Sequence, residues 1–281
     1  MPKLLQRLLI FFIGIPLVIF AIIPQFYNHL PLHILIFLFT FMSAWELTTI
    51  LSTNSQIPNK ILLIVLSMTL PVASYLCGLF NLEFVIVELT LTFDILIIFT
   101  IEIFSNKDFS NSNIKIANGI FTIIYSGFLI TFISRLATLK NSSHIICLFV
   151  ILVFISDSAA WLFGMLFGKN NRGLIAASPN KSIAGFIGAY LGSIGIAILI
   201  KFTLWKEIFG ELSLIKLILL AICVTTTSII GDLAESVFKR SSGCKDSGNI
   251  ILGRGGALDS IDSLLASAPF YFLILKFVLF F

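Results

Sequence analysis

The sequence predicts an all-α polytopic membrane protein, a bundle of about nine transmembrane helices. Hydrophobic residues make up 58% of the 281 positions, charged residues only 11%, and the mean hydropathy is +1.07. A soluble domain of this size could not bury so much apolar surface. Stretches of roughly 20 apolar residues, long enough to cross a hydrocarbon core of about 30 Å, also recur along nearly the whole chain.

The predicted spans are helices, because backbone groups in lipid must be hydrogen-bonded within the chain and the two-residue alternation of a barrel is missing. The first span resembles a signal peptide, but its length and the lack of a small-residue cleavage site predict a retained helix. In order, the spans are 7–26, 31–51, 60–80, 83–105, 115–137, 144–168, 183–205, 212–236 and 261–281.

The spans divide into an N-terminal region, residues 1–140 with about five helices, and a C-terminal region, residues 141–281, where polar residues are organised. With the N-terminus inside, twelve of the 18 basic residues fall in cytoplasmic segments. This excess predicts an inner N-terminus and an outer C-terminus. The cysteines lack metal or disulfide spacing, and the three histidines are placed at loops or helix ends, which disfavours a histidine base.

Four carboxylates lie in or near the N-terminal spans: Glu46, Glu88, Asp94 and Glu102. Acidic residues facing lipid are costly, and the same spans hold no basic partner. Two interpretations stay open, namely interior hydrogen bonding or interfacial placement, and a functional pathway. Asp157 is the acidic residue of the C-terminal region nearest to mid-membrane. Its carboxylate could hydrogen-bond Ser156 or Ser158 of its own helix, or it could serve a function.

Two carboxylate pairs with helical i, i+3 spacing flank a glycine-rich loop: Asp232 with Glu235, and Asp259 with Asp262. Each pair presents both carboxylates on one helix face. Facing pairs would repel unless a divalent cation lay between them, and hard oxygen ligands suit Mg²⁺. The alternative is that the acids cap helices or pair with the basic residues of the loop.

The loop itself combines four basic residues, Lys239, Arg240, Lys245 and Arg254, with five glycines. Such a cluster can simply set topology or bind anionic lipid. Glycines remove side chains and permit positive φ, so backbone N–H groups could approach phosphate oxygens. The glycines are Gly243, Gly248, Gly253, Gly255 and Gly256.

A third cluster, SPNK at 178–181, precedes a long predicted helix. Ser178 or Asn180 could cap that helix, and Lys181 adds charge near an N-terminus suited to phosphate. Along the helix, glycines three and four apart form a small-residue stripe that predicts close helix packing. These are Gly185, Gly188, Gly192 and Gly195.

The segment 236–262 resembles the C-terminal motif of phosphatidate cytidylyltransferases, also called CDP-diacylglycerol synthases. That motif runs S-x-x-K-R, four residues, K-D-x-G, then P-G-H-G-G and L-D-R-x-D. GDLAES at 231–236, SDSAAWLFG and SPNKSIAG resemble further motifs of the family, so the resemblance covers about residues 150–281. The matching residues are Ser236, Lys239, Arg240, Lys245, Asp246, Gly248, Gly253, Gly255, Gly256, Asp259 and Asp262.

Several positions depart from the family pattern. Leu252 and Arg254 stand where the family has proline and histidine, and Ser260 replaces an arginine. Upstream, Asn180 replaces a lysine and Ala184 a glutamate. The aspartates that bind metal in the family are retained.

The resemblance implies an enzyme that transfers CMP from CTP to phosphatidic acid, giving CDP-diacylglycerol and pyrophosphate. It implies Mg²⁺ held by Asp232, Asp259 and Asp262, and a monovalent cation such as K⁺. Catalytic roles fall to Lys239, Arg240, Lys245, Asp246 and Arg254, and substrate binding to Ser178, Lys181, Ser236, Gly255 and Gly256.

We expect CTP, phosphatidic acid and membrane lipids as partners and no nucleic acid, and leave a homodimer open. The expected location is the bacterial inner membrane with the site facing the cytoplasm. A CDP-alcohol phosphotransferase is disfavoured because its D-G-x-x-A-R motif is missing. Two alternatives remain: a homologue that binds lipid or nucleotide without turnover, and a cation-coupled transporter using Asp157, Glu88 and Asp94.

Overall fold

The computed structural model describes residues 14–105, 108–203, 205–251 and 255–279. Apart from two isolated backbone bridges, these residues form helices, turns and loops and no strand. The chain folds as two compact units. The first unit comprises Met1–Thr138 and Phe238–Ile261, and the second comprises Leu139–Val237 and Asp262–Phe281. The all-α prediction is therefore confirmed.

The helices of the first unit alternate with short turns. Its core lies between the helices Lys60–Phe80 and Val85–Ser105 and the π-helix Ile123–Phe128. Leu66, Leu70 and Ile123 are among its buried residues. The elements are α1 (Ile15–Ile22), α2 (Phe26–Asn54), α3 (Lys60–Phe80), α4 (Val85–Ser105), α5 (Ser112–Thr122) with the π-helix Ile123–Phe128, and α6 (Thr131–Leu136).

The second unit is built around a hairpin of two long helices, Ser142–Phe167 and Ile183–Phe202. The helices Leu214–Ser241 and Leu258–Ile274 contribute residues to both units. Tyr271 and Phe149 are fully buried, and the Tyr271 hydroxyl donates to the Ile145 carbonyl at 2.8 Å. The elements are α7 (Ser142–Phe167), α8 (Ile183–Phe202), α9 (Lys206–Phe209), α10 (Leu214–Ser241) and α11 (Leu258–Ile274), which continues as the π-helix Leu275–Leu279.

Seven helices of the described chain are long and apolar enough to cross a membrane, as expected of an integral membrane protein. They are Phe26–Asn54, Lys60–Phe80, Ser112–Leu136, Ser142–Phe167, Ile183–Phe202, Leu214–Ser241 and Leu258–Leu279. Two predicted spans are not among them. Residues 7–13 of the span 7–26 lie outside the described residues and its described helix, Ile15–Ile22, has only 8 residues, and α4, at 83–105, carries three carboxylates.

Those carboxylates have partners on neighbouring helices of the first unit rather than within their own span. Asp94 and Glu102 are buried, so their contacts satisfy acidic groups in the interior, whereas the Glu88 side chain is 45% exposed. They join Arg135 to Glu88 (2.5 Å), Thr69 to Asp94 (2.7 Å), and Ser112 to Glu102 (2.6 Å), with Lys115 at 3.7 Å from Glu102. The structure thus favours interior pairing for Asp94 and Glu102 and a half-exposed ion pair for Glu88 over a cation pathway.

The predicted glycine stripe packs α8 against α7. A Cβ added to Gly188 or Gly192 would lie 2.5 Å from Phe163 or Ala159, so only glycine permits this approach. Gly195 has nothing within 4 Å and is not part of the contact. Close packing is therefore confirmed for Gly185, Gly188 and Gly192.

Two local expectations are wrong. The N-cap of α8 is Ser182, whose side chain accepts from the Gly185 N–H at 3.0 Å, and neither Ser178 nor Asn180 caps the helix. His33 is buried inside α2 rather than at a loop or helix end, whereas His29 lies near the start of α2, as expected. Their ring nitrogens bond the backbone carbonyls of His29 and Ile22, respectively.

Candidate active site

In the first unit, residues of the motif loop (residues 242–257) contact the carboxylate of Asp259, in the first turn of α11. One oxygen of this carboxylate pairs with Lys239, in the last turn of α10. The other accepts from the N–H groups of Ser247 at 2.9 Å and Gly256 at 2.8 Å. Pairing with a loop lysine is one of the alternatives that the sequence left open, and for Asp259 the structure shows it.

A second carboxylate, Glu46 of α2, contacts the same loop and was not predicted as a site residue. It is 3% exposed and accepts from the Ser247 hydroxyl at 2.9 Å and from the N–H groups of Ala257 at 2.9 Å and Leu258 at 2.8 Å. The residues that donate to Glu46 are about 200 positions away from it along the chain. The only sequence signal was the cost of a carboxylate inside an apolar span.

The loop glycines are required for two different reasons. Gly255 has φ +110°, a conformation that other residues rarely adopt. Gly248 and Gly256 lie against the Glu46 carboxylate, and a Cβ on Gly248 would be 2.5 Å from its oxygen. The loop therefore combines backbone freedom with a close approach to a buried acid.

The other predicted residues of this unit are exposed. They include Lys245 and Asp246, and Arg240, which donates to the Cys244 carbonyl at 3.1 Å. Arg254, with Gly253 and Leu252, lies outside the described residues. Lys245 of the loop and Arg240 at the end of α10 thus expose positive charge to solvent.

In the second unit, Lys181 forms an ion pair with Asp232 of α10. The turn before α8 places the lysine, because the Lys181 N–H donates to the Ser178 carbonyl at 3.1 Å. Ser236, one turn beyond Asp232, is buried. Three of the predicted site residues of this unit therefore lie on or against one stretch of α10.

Asp262 lies in a group of acidic residues in the second unit. It is 6% exposed, and the carboxylates of Asp232, Glu235 and Asp157 act on it electrostatically. Gly231 permits the approach, since a Cβ there would be 2.6 Å from the Asp262 carbonyl oxygen. In the described part of the chain, no three His, Cys, Asp or Glu side chains are grouped closely enough to hold a metal ion.

Comparison with known proteins assigns the family. The cytidylyltransferase family model matches residues 5–278. The chain belongs to the cytidylyltransferase family.

Curated relatives of this cytidylyltransferase-family chain carry a more specific name. This chain is 40% identical over 129 residues to the phosphatidate cytidylyltransferase of Haemophilus influenzae, and the match covers 46% of this chain and 44% of the relative. Identity to the phosphatidate cytidylyltransferase of Staphylococcus haemolyticus is 36% over 148 residues, 53% of this chain and 54% of the relative. The matched segments span about half the length of these relatives.

The metal ligands predicted for this cytidylyltransferase-family chain are all carboxylates, the donor type that a hard divalent cation prefers. Asp262 is buried beside Asp232 and Glu235, and such carboxylates repel one another unless a cation or a proton intervenes. Asp232 and Asp259 each already contact an ammonium group, of Lys181 and Lys239. Metal binding by Asp232, Asp259 and Asp262 stays a prediction.

Proposed function

We propose that this protein transfers CMP from CTP to phosphatidic acid, yielding CDP-diacylglycerol and pyrophosphate. The observation that carries the proposal is the family match over residues 5–278, which includes the whole basic and glycine-rich loop. The relatives' name, phosphatidate cytidylyltransferase, supplies the two substrates.

In the proposed reaction, an ionised phosphate oxygen of phosphatidic acid attacks the α-phosphorus of CTP. The bond from that phosphorus to the bridging oxygen breaks, and pyrophosphate leaves. Because the nucleophile is already ionised near neutral pH, the reaction needs charge neutralisation and alignment more than a strong base. This agrees with a site rich in lysine, arginine and aspartate.

Basic residues of the motif loop would stabilise the triphosphate and the departing pyrophosphate. Lys239 is held at the base of the loop by Asp259, whereas the side chains of Arg240 and Lys245 are exposed to solvent, from which a ligand would approach them. Arg254 is assigned the same role from its position in the motif. Asp246 would orient Lys245, and the backbone at Gly255 and Gly256 would lie close to phosphate oxygens.

Asp232, Asp259 and Asp262 would hold Mg²⁺, which when bound neutralises phosphate charge and polarises the phosphorus–oxygen bonds. The acidic surroundings of Asp262 support this assignment. A monovalent cation such as K⁺ is a second part of the proposal. Replacing K⁺ with a large organic cation in the assay tests it.

Lys181 and Ser178 would contact a phosphate group of one substrate, and Ser236 would line the same region. The turn that joins Ser178 to Lys181 supports a shared role. We also propose a bacterial inner-membrane location with the site on the cytoplasmic side, where CTP is available. The excess of basic residues in the segments assigned to that side supports this orientation.

The test is pyrophosphate release by detergent-purified protein given CTP, phosphatidic acid and Mg²⁺, with the lipid product identified by mass spectrometry. We expect product only when all three are present. The exposed variant Glu211→Gln should keep the activity and Asp259→Asn should lose it. Folded protein that binds CTP but releases no pyrophosphate would instead be a homologue without turnover.

A further inference from the structure

One face of α2 runs along the motif segment of the first unit. Glu46, Ile50 and Asn54 are spaced four residues apart and therefore lie on the same side of the helix. The Ile50 carbonyl accepts from the Ser242 hydroxyl at 2.8 Å, and the Asn54 amide donates to the Ser241 carbonyl at 2.9 Å. Glu46 completes this row at the other end of the loop.

Glu46 contacts the end of the loop where α11 begins. The first N–H groups of a helix lack partners within it, and a carboxylate there satisfies both their hydrogen bonds and the helix dipole. The N–H groups of Ala257 and Leu258 donate to the two oxygens of Glu46 at 2.9 and 2.8 Å. A side chain from α2 thus caps α11.

The Ser247 hydroxyl links the two carboxylates of the loop. It lies 2.9 Å from an oxygen of Glu46 and 2.9 Å from an oxygen of Asp259. Asp259 in turn receives the Gly256 N–H and pairs with Lys239. A displacement of Glu46 would therefore move Ser247, and with it the contacts that place Asp259 and Lys239.

We propose that Glu46 is a positioning residue of the site: its buried carboxylate holds Ser247 and the backbone at 256–258 in the conformation that receives the nucleotide phosphates. This inference rests on the proposed function for the identity of the ligand. The positioning contacts themselves do not depend on it.

The chemistry requires a carboxylate at this position. The three groups around Glu46 are donors, and a carboxylate only accepts. A glutamine would direct its NH₂ group at one of those donors and leave a buried N–H without an acceptor. Glu46→Gln is therefore the informative variant, since it retains the shape and changes the hydrogen bonding.

Glu102→Gln is the matched control. Glu102 is a buried carboxylate of the same unit, 7% exposed, and its hydrogen bond comes from Ser112, away from the loop. The same chemical change is thus made in the same unit without touching residues 247–258. Both variants are compared with the unmodified full-length chain in detergent.

The first readout is hydrogen exchange of peptides covering 247–258, measured without substrate. We expect exchange at least ~10-fold faster in Glu46→Gln, the change produced by about 1.4 kcal/mol, with Glu102→Gln unchanged. The second readout is kinetic. The KM for CTP should rise at least ~10-fold in Glu46→Gln, while the KM for phosphatidic acid stays within about twofold.

Unchanged exchange and an unchanged KM for CTP in Glu46→Gln would overturn the proposal, as would equal effects of Glu102→Gln. Failure of the unmodified protein to turn over CTP would contradict the proposed function, while the exchange result would still decide the positioning role.

A double-mutant cycle keeps the test valid if Glu46→Gln does not fold. A Cβ on Gly248 would meet Glu46 at 2.5 Å, and the three nearest atoms to that Cβ all belong to Glu46. Shortening the acid with Glu46→Asp should therefore relieve Gly248→Ala. We expect the double variant to retain more loop protection than Gly248→Ala alone, and strictly independent effects would count against the proposal.

Discussion

Lys239 and Asp259 form an ion pair that joins the last turn of α10 to the first turn of α11, with side chains 11% and 8% exposed. Two charges of the candidate site therefore neutralise each other at the base of the motif loop. A buried pair of this kind is costly to break, because removing one partner leaves the other charge buried alone.

We expect Asp259→Asn to destabilise the protein by about 3–5 kcal/mol and to abolish turnover. The double variant Lys239→Met with Asp259→Asn should recover part of the stability, since it removes the lysine charge left buried alone and keeps an amide oxygen that can accept from the Ser247 and Gly256 N–H groups. Activity should remain absent in both. Apparent melting temperatures in detergent and pyrophosphate release measure the two effects. Equal melting temperatures for the single and double variants would contradict this account.

Lys181→Ala should separate activity from stability. The side chains of Lys181 and Asp232 are 23% and 37% exposed, so solvent screening limits the pair to about 1 kcal/mol or less. Loss of a positive charge beside substrate phosphate should nevertheless reduce kcat/KM at least ~100-fold. Lys169→Ala, an exposed basic residue between α7 and α8, is the control and should retain activity. A large drop in melting temperature would show that the pair is structural.

Asp262→Asn should raise the melting temperature of the metal-free protein by a few degrees, because it removes the charge of a buried carboxylate that Asp232 and Glu235 repel. Millimolar Mg²⁺ should stabilise the unmodified protein and have little effect on this variant, since a ligand that binds only the folded state stabilises it. Glu211→Gln, an exposed carboxylate in the turn before α10, should behave like the unmodified protein. Equal Mg²⁺ stabilisation of all three would remove Asp262 from the metal site.

Gly188→Ala and Gly195→Ala test the packing of α8 on α7. At Gly188 the added methyl would lie 2.5 Å from Phe163, and overpacking of this kind costs about 1–3 kcal/mol. At Gly195 the methyl meets nothing within 4 Å, so the change should be neutral or slightly stabilising. Thermal unfolding of the two variants in the same detergent gives the comparison. Similar destabilisation of both would show that the effect is not one of helix contact.

Much of the helical architecture was predictable from the sequence. The span predicted at 60–80 coincides with α3, and the span at 183–205 differs from α8 by three residues at one end. Hydropathy is a property of neighbouring positions, and an apolar run of membrane length has few alternatives to a helix. The motif residues were predictable for a related reason, because their spacing is a property of one continuous segment.

Contacts between distant segments were not predictable in this way. The carboxylates of α4 had no cation within their own span, and the structure supplies Arg135 and Lys115 from neighbouring helices. The cap of α8 is Ser182 rather than the predicted Ser178 or Asn180. Capping depends on where the backbone leaves helical geometry, and nearby serines differ little in intrinsic preference.

The sequence by itself determined the fold class, the positions of most long helices and the residues of the motif loop, since these follow from local hydropathy and spacing. Only the tertiary structure decided that Lys239 pairs with Asp259 and that Glu46 holds the loop from about 200 positions away. The physical reason is that a buried carboxylate must find donors wherever packing brings them, and packing joins residues that the linear order keeps apart.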